Sequence, residues 1–533
     1  MQDSTLTAPQ PLTTDRLISD HIERWAQERP DAVAVTFQDQ EYTWAQWRDR
    51  LHRVAGGLRA LGVGRGDRVA TLDLNSLACL ELSYAASSIG AAHVIVNWRL
   101  VGDQLAYVLD DSRPRVVFVG AGLVEPFEAA IGQVPELDRA IERVVVVGGE
   151  SDEYEPWVAG AEPVEPAADV EADDTCLVMY SSGTTGFPKG VELSHRNINT
   201  HSEAVKDLFN FDPSTVSLAC MPQFHVGGTC YAIAGLHHGA PTVILREVDP
   251  GLMFAAIARG ATHIFLVPAV VGALLAAGDQ AIAAFSRIQC MAYGAAPMPL
   301  PMLKRALAAW PDMRISQVYG MTEMSGVTTA LSAEAHRDAD HPERLTSAGL
   351  PIRGVEMRVV DPLSLEDLPV GEPGEVWFRT AQAMRGYLGK PEATAEAKTP
   401  DGWMRTGDVG RLDDGGFLYI IDRLKDMIIS GGENVYSPEV ENVLAAHPSV
   451  GEVAIIGVPD ERWGEVVKAV VAPAAGATVD AGELIAFARE RLAHYKCPQS
   501  IDVVEALPRN PAGKVLKREL RRPYWEGHER TVV

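Results

Sequence analysis

Short apolar runs alternate along this chain with longer stretches in which apolar residues recur every three or four positions, the signature of strands interleaved with amphipathic helices. Arg16 to Glu28 predicts a helix stopped by Pro30, Val33 to Phe37 a strand, and Trp44 to Ala60 a helix capped by Thr43. Arg68 to Leu72 reads as a strand behind the turn Gly62 to Asp67, with further strands at Ala92 to Val96, Arg115 to Val119 and Val144 to Val147. The apolar run Cys176 to Met179 reads as a buried strand, and a second succession follows, with strands at Val216 to Cys220, Thr242 to Leu245, His263 to Val267, Ile288 to Ala292 and Arg314 to Val318. Two such βαβ successions predict an α/β fold with two doubly wound, mainly parallel sheets, whose ligands sit at the carboxyl ends of the strands.

Between the two successions, Glu150 to Asp174 holds ten acidic residues, no Lys or Arg, and three prolines, so a solvated connection is expected there. From Ser347 to Ile421 the helical period fades and turn pairs such as Asp414-Gly415-Gly416 punctuate short strands, which predicts a small β-rich subdomain. After Asp422 to Asp426 the pattern returns to mixed helix and strand. The expected division is an N-terminal domain over 1–424, with its β-rich part at about 347–421, and a small α+β C-terminal domain over 425–533.

The 533 residues carry a net charge of −25, which disfavours nucleic acid and anionic lipid as partners. Six scattered cysteines without a C-x-x-C pair read as reduced thiols, and the polar start of the chain lacks an apolar signal region, so a cytoplasmic protein is expected. The most apolar stretch, Ile264 to Gly278, is interrupted by Pro268 and is shorter than the ~20 residues a membrane span needs. No transmembrane segment is expected.

Chemistry concentrates behind the strand at Cys176 in Tyr180-Ser-Ser-Gly-Thr-Thr-Gly-Phe-Pro-Lys-Gly190. Gly183 and Gly186 allow tight turns that aim backbone N–H groups at an anion. Ser181, Ser182, Thr184 and Thr185 add hydroxyls, and Lys189 adds a mobile positive charge. This is phosphate-binding chemistry, yet not the P-loop pattern, because Pro188 precedes Lys189 and Gly190 follows it. Nor does Gly62-Val-Gly-Arg-Gly66 have the G-x-G-x-x-G spacing of a dinucleotide fold.

Further motifs end later strands. In Gln317-Val-Tyr-Gly-Met-Thr-Glu323, Tyr319 can stack on a purine, Thr322 can reach an α-phosphate, and Glu323 can hold a hard cation, with Gly320 and Met321 between them as further nucleotide-binding candidates. The small residues Gly294, Ala295, Ala296 and Pro297 permit close approach of a flat base or acyl group. Thr406-Gly-Asp408 reads as a turn whose Asp408 can accept from both hydroxyls of a ribose, with Arg423 as a donor near the same sugar. Near the C-terminus, Lys514 follows Gly513 in Pro508-Arg-Asn-Pro-Ala-Gly-Lys514.

Present together in this order, these motifs resemble those of the adenylate-forming superfamily, which includes acyl-CoA synthetases, amino-acid adenylation domains and beetle luciferases. The resemblance covers nearly the whole chain and implies an AMP-forming acid–thiol ligase using ATP, Mg²⁺ and coenzyme A. It places residues Ser181 to Lys189 on the β- and γ-phosphates, Thr184 and Glu323 on the metal, and residues 294–297 beside the adenine. By the same resemblance Lys514 is the catalytic lysine of a mobile C-terminal domain, Lys425 lies at its hinge, and Gly431, Gly432 and Glu433 form the thiol channel after rotation.

His225, ahead of Val226, Gly227 and Gly228, matches the position that gates the acid pocket in relatives; a buried, hydrogen-bonded histidine is the alternative. No Asp or Glu occurs from Val226 to Arg246, which argues against an amino-acid substrate, and the two glycines are expected to leave room for a bulky or long group. The expected substrate is therefore a small-molecule carboxylic acid, fatty or aryl. Loading of a carrier protein remains an alternative acceptor reaction, although only 19 residues follow Lys514 and no carrier domain is expected there. A non-catalytic adenylate-binding protein is a third reading, and a homodimer is left open.

Overall fold

The computed structural model describes residues 15–181, 188–430, 433–460, 462–509 and 515–526. The chain forms two compact units, one of residues 1–357 with 378–404, the other of 358–377 with 405–533. The division expected at 424/425 therefore lies within the second unit.

Among the described residues the first unit carries two large sheets. One runs, in spatial order, Gly386–Tyr387, Lys189–Ser194, Thr175–Ser181, Ala92–Ile95, Arg68–Leu72, Val116–Gly120, Arg143–Val147. The other runs Leu350–Pro351, Gly326–Leu331, Arg314–Met321, Cys290–Gly294, His263–Leu266, Ser217–Ala219, Thr242–Ile244, Val33–Phe37, Gln40–Thr43. Their central pairs are parallel, as the βαβ pattern predicts; antiparallel pairs occur at both edges of the second sheet but only at the Gly386–Tyr387 edge of the first, whose other edge, Arg143–Val147, is parallel.

The two successions do not map one to a sheet. Val33–Phe37 from the start of the chain pairs in parallel with Thr242–Ile244, while Thr175–Ser181 joins Ala92–Ile95. Strand periodicity records which face is buried and not which neighbour is chosen. Local signals held better: the helix Trp44–Ala60 begins with the expected Thr43 cap, whose hydroxyl accepts from Gln46 N while Gln46 Oε1 accepts from Thr43 N.

The acidic stretch is more than a solvated connection. Tyr154–Gly160 is a helix whose Tyr154 and Val158 are buried in the same apolar cluster as Phe118. Tyr154 OH donates to the buried carboxylate of Glu81, which also takes two contacts from the Arg50 guanidinium. Acidic residues flank that helix because only its apolar side is inside.

Within the stretch expected to be β-rich, Glu356–Val360, Gly374–Arg379, Met404–Leu412 and Leu418–Arg423 form a four-stranded sheet, most of whose residues belong to the second unit, while Leu350–Pro351 and Gly386–Tyr387 join the two large sheets. A further sheet orders Glu433–Val435, Ile428–Ser430, Gly464–Pro473 and Val450–Asp460, with Ser500–Val503 pairing in parallel to Gly464–Pro473. Helices Ser437–Ala445 and Ala481–Arg489 cover one apolar face, built on Ile428, Val440, Leu444, Ile455 and Leu484.

Candidate active site

In the first unit the ends of the phosphate-binding motif are pinned by a hairpin. Thr175–Ser181 and Lys189–Ser194 pair antiparallel, with Ser181 opposite Lys189 and Tyr180 opposite Gly190. A side chain at 190 would press on Tyr180 and Val178 at 3.1 Å, which explains the glycine. Ser182, Gly183, Thr184, Thr185 and Gly186 lie outside the described residues.

Onto this hairpin the second sheet delivers Glu323, in the 3₁₀ turn Thr322–Met324 that follows the strand Arg314–Met321. Glu323 is buried, and its Oε1 accepts from Ser181 Oγ at 3.0 Å and from Tyr387 OH at 3.0 Å. Burial, followed by the neighbouring carboxylate, pushes the Tyr387 phenol up, so it remains a donor at neutral pH. The Lys189 ammonium sits 4.9 Å from the centre of the same ring. Glu323 has no ion-pair partner among the described residues. A buried carboxylate held by two hydroxyls, with one lysine across a ring, suits a hard cation bound through one or two carboxylates plus phosphate oxygens.

Tyr387 was not singled out in the sequence. One tyrosine after a glycine carries no periodic or motif signal, and its role depends on the edge pairing of Gly386–Tyr387 with Glu192 and Val191.

The small-residue motif follows the strand Cys290–Gly294. Gly294 pairs with Val318, and a Cβ there would stand 2.4 Å from the Val318 carbonyl oxygen. Ala295 has φ +65°, a left-handed conformation that non-glycine residues pay for and that collects at ligand sites. Ala295, Ala296 and Pro297 are exposed, and the adjoining strand presents half-buried Tyr319 and exposed Gly320. The Tyr319 ring lies 6.2 Å from Phe378. Met321 and Thr322 are half-buried beside Glu323.

On the acid side, His225 is exposed and immediately precedes helix Val226–His237, with its ring 4.3 Å from Phe224. The alternative of a buried histidine is therefore set aside. Asn75, another residue the sequence did not flag, holds the preceding loop: its Nδ2 donates to Leu245 O at 2.9 Å and Met221 O at 3.1 Å, and its Oδ1 accepts from Gln223 N at 2.8 Å. Gly227 and Gly228 correct the expectation of extra room. A Cβ at 227 would stand 2.7 Å from the Phe265 ring, and one at 228 only 2.1 Å from the Pro222 carbonyl oxygen. Protein atoms fill those spaces, so the glycines serve close packing of the helix.

In the second unit Asp408 and Arg423 are directly opposite on neighbouring strands and form an ion pair of 2.6 Å. Thr406-Gly-Asp408 lies within the strand Met404–Leu412, correcting the expected turn. It is nonetheless distorted: Gly407 has φ +67°, its N–H donates to Glu375 Oε1, and Thr406 Oγ1 accepts from Asp408 N. Lys425 sits in the 3₁₀ turn Leu424–Asp426, and burial holds its ammonium below the usual lysine range. That turn is braced by Arg521, which donates to the Lys425 carbonyl at 2.8 Å and pairs with Asp426 at 2.6 Å. Just upstream, Asp422 accepts from Ser437 N at 2.7 Å and Ser437 Oγ at 2.9 Å. Glu433 is exposed at the start of Glu433–Val435. Gly431, Gly432 and Lys514 lie outside the described residues.

Comparison with known proteins identifies the family of the chain. The family model "AMP-binding enzyme" matches residues 22–388, and "AMP-binding enzyme C-terminal domain" matches residues 439–514. A feruloyl-CoA synthase from Amycolatopsis sp is 38% identical over 94% of this chain and 98% of its own. The fatty acid–[acyl-carrier-protein] ligase ScoC of Streptomyces coeruleorubidus is 35% identical over 95% of this chain and 96% of its own. Among solved structures, o-succinylbenzoate CoA synthetase (MenE) from Bacillus subtilis, in complex with the acyl-adenylate intermediate OSB-AMP, superposes with a TM-score of 0.81 at 29% identity, over 95% of this chain and 98% of that one. With matches of this extent, the chain belongs to the AMP-binding enzyme family.

Proposed function

We propose that this protein is an acyl-CoA synthetase: it activates a free carboxylic acid with ATP to an acyl-adenylate, releasing pyrophosphate, and transfers the acyl group to coenzyme A, releasing AMP. The observation that carries the reading is the buried Glu323 carboxylate bonded to Ser181 beside Lys189, at the two ends of a Gly/Ser/Thr phosphate motif. A carboxylate cannot expel oxide at neutral pH. When its oxygen attacks the α-phosphorus of ATP, the P–O bond to pyrophosphate breaks and the acid acquires AMP as a leaving group. Positioning and charge stabilisation supply the catalysis.

In this reading Ser181 to Lys189 hold the β- and γ-phosphates, Tyr319 and residues 294–297 hold the adenine, Thr322 the α-phosphate, and Asp408 with Arg423 the ribose. Lys514 neutralises charge on the carboxylate and the α-phosphoryl group. Mg²⁺, held by Glu323 and Thr184, would offset negative charge on the triphosphate. For the second half-reaction the segment from about 425 onward turns at Lys425, which withdraws Lys514 and brings 431–433 to the thiol. His225, Val226 and the loop held by Asn75 border the acid, which we take to be fatty or aryl because no Asp or Glu occurs from Val226 to Arg246 to pair with an ammonium group.

A specific relative supports a second acceptor: ScoC is named as a ligase to an acyl-carrier protein. No helix among the described residues is long and apolar enough to cross a membrane, and the six cysteines are buried and unbridged, which favours a cytoplasmic enzyme. Incubation with ATP and a panel of fatty, aryl and short acids, with and without CoA, tests the reading. CoA-dependent AMP release and acyl-CoA are expected. Acyl-AMP that turns over only with a carrier protein would support the second reading, and no pyrophosphate with any acid would overturn both.

A further inference from the structure

Apart from the nucleotide residues, three helices of the first unit gather nitrogen and oxygen donors that no step above uses. Ser19–Glu28 supplies His21, His195–Ala204 supplies Glu203, and Val226–His237 ends on His237 with His238 next in the chain. Glu203 Oε1 lies 2.8 Å from His237 Nε2, and ligand atoms of Glu203, His237 and His238 all lie within 4.8 Å of one another. His238 Nε2 donates to the Ser202 carbonyl at 2.9 Å. That bond keeps the proton on Nε2 and leaves the Nδ1 lone pair for a ligand, as the outer hydrogen bond of a metal-binding histidine does.

Beyond them, the His21 ring lies against His237 with centroids 3.6 Å apart. Both nitrogens of His21 and Nδ1 of His237 are buried without a hydrogen-bond partner among the described residues. Such orphans are rare in a cluster that only fills a core, since each forfeits its hydration.

We propose that Glu203, His237 and His238 form a binding site for a divalent transition metal, Zn²⁺ being the fit, with His21 beside it as a further nitrogen donor. Two imidazoles and one carboxylate suit Zn²⁺ and its neighbours; Mg²⁺ and Ca²⁺ prefer an all-oxygen shell. On a tetrahedral zinc with bonds of about 2.0 Å, neighbouring ligand atoms stand about 3.3 Å apart, so a small opening of the Glu203–His237 contact admits the ion. His237 moves its proton to Nδ1 when Nε2 takes the metal, so the imidazole stays neutral. Two further features favour a cation. The site closes the C-terminal end of Val226–His237, where the helix dipole is negative. Glu203 is about a third exposed and gives the ion an entry path, although Arg353, 3.7 Å from its other oxygen, competes for the carboxylate.

The test is a Zn²⁺ titration of full-length protein stripped with a chelator, in excess Mg²⁺ to keep oxygen sites filled, read by competition with a chromophoric chelator. About one tight equivalent per chain is expected, weakened roughly tenfold or more in His238→Ala and in Glu203→Gln. His52→Asn, which removes the histidine of the separate Glu23–His52–Glu165 group, should leave it unchanged. Co²⁺ added to the unmutated protein should give tetrahedral d–d bands without a thiolate charge-transfer band, a readout independent of how the variants fold. Binding no tighter than in His238→Ala, loss of the ion in His52→Asn, or a thiolate band would each overturn the proposal.

Discussion

Ser181 and Glu323, 142 positions apart in the chain, meet through a 3.0 Å hydrogen bond that joins the two large sheets. Glu323→Gln keeps a hydrogen-bond acceptor there and removes the charge a metal–nucleotide complex needs. Acid-dependent pyrophosphate release should fall on the order of 10²- to 10³-fold, about 3–4 kcal/mol of lost transition-state stabilisation. Thermal melting of the variant should stay close to that of the parent. A variant with parental pyrophosphate release would remove Glu323 from the proposed mechanism.

Gly228→Ala should harm the protein rather than narrow a pocket. Its new methyl would sit 2.1 Å from the backbone oxygen of Pro222, which cannot swing aside as a side chain could. Overpacking of this kind costs about 1–3 kcal/mol, and a lower midpoint in denaturant should record it. Gly227→Ala meets the Phe265 ring instead, at 2.7 Å, and should cost less because a ring can shift. Equal stability of both variants and parent would mean that the helix Val226–His237 has slack it does not display.

The proposed rotation at Lys425 must break the bonds from Ser437 to Asp422, since Asp422 precedes the hinge and Ser437 follows it. Hydrogen bonds to a charged group contribute about 1.5–3 kcal/mol, so loosening them should change the balance between two conformers roughly tenfold. Asp422→Asn and Ser437→Ala are expected to move the ratio of pyrophosphate release to CoA-dependent AMP release in the same direction, away from the conformer these bonds hold. Separate assays of the half-reactions check this. An unchanged ratio in both variants would place the hinge elsewhere.

Acid should destabilise the fold well before its carboxylates protonate. Burial pushes His93 down to about 3, and His195, His263 and His336 to about 4, against 6.5 for a free imidazole. These rings stay neutral when folded, whereas the unfolded chain takes up protons below about pH 6.5. Stability is therefore full above pH 6.5 and declines as pH falls toward 4, by up to about 1.4 kcal/mol per pH unit for each histidine. His93, hydrogen-bonded to Thr71 Oγ1 at 2.7 Å and Ser83 Oγ at 2.9 Å, is a suitable probe. Melting temperatures measured from about pH 7.5 down to 5 should fall below 6.5, less steeply in His93→Asn. A flat profile would contradict the assignment.

The amino-acid order by itself determined the local elements and the chemical motifs. Thr43 caps its helix, the apolar run at Cys176 is a buried strand, and Ser181 to Lys189, Tyr319 to Glu323 and Lys514 are recognisable because the residue types and their spacing are local. Only the tertiary structure decided which strands share a sheet, that Tyr387 closes on Glu323, that Asp408 faces Arg423 across a strand pair, and that the space beside Gly228 is already filled. It also brought His21, Glu203, His237 and His238 together from three helices. Periods of 2 and 3.6 residues dictate which face of an element turns inward, but the partner that covers that face is selected by packing among residues far apart in the chain.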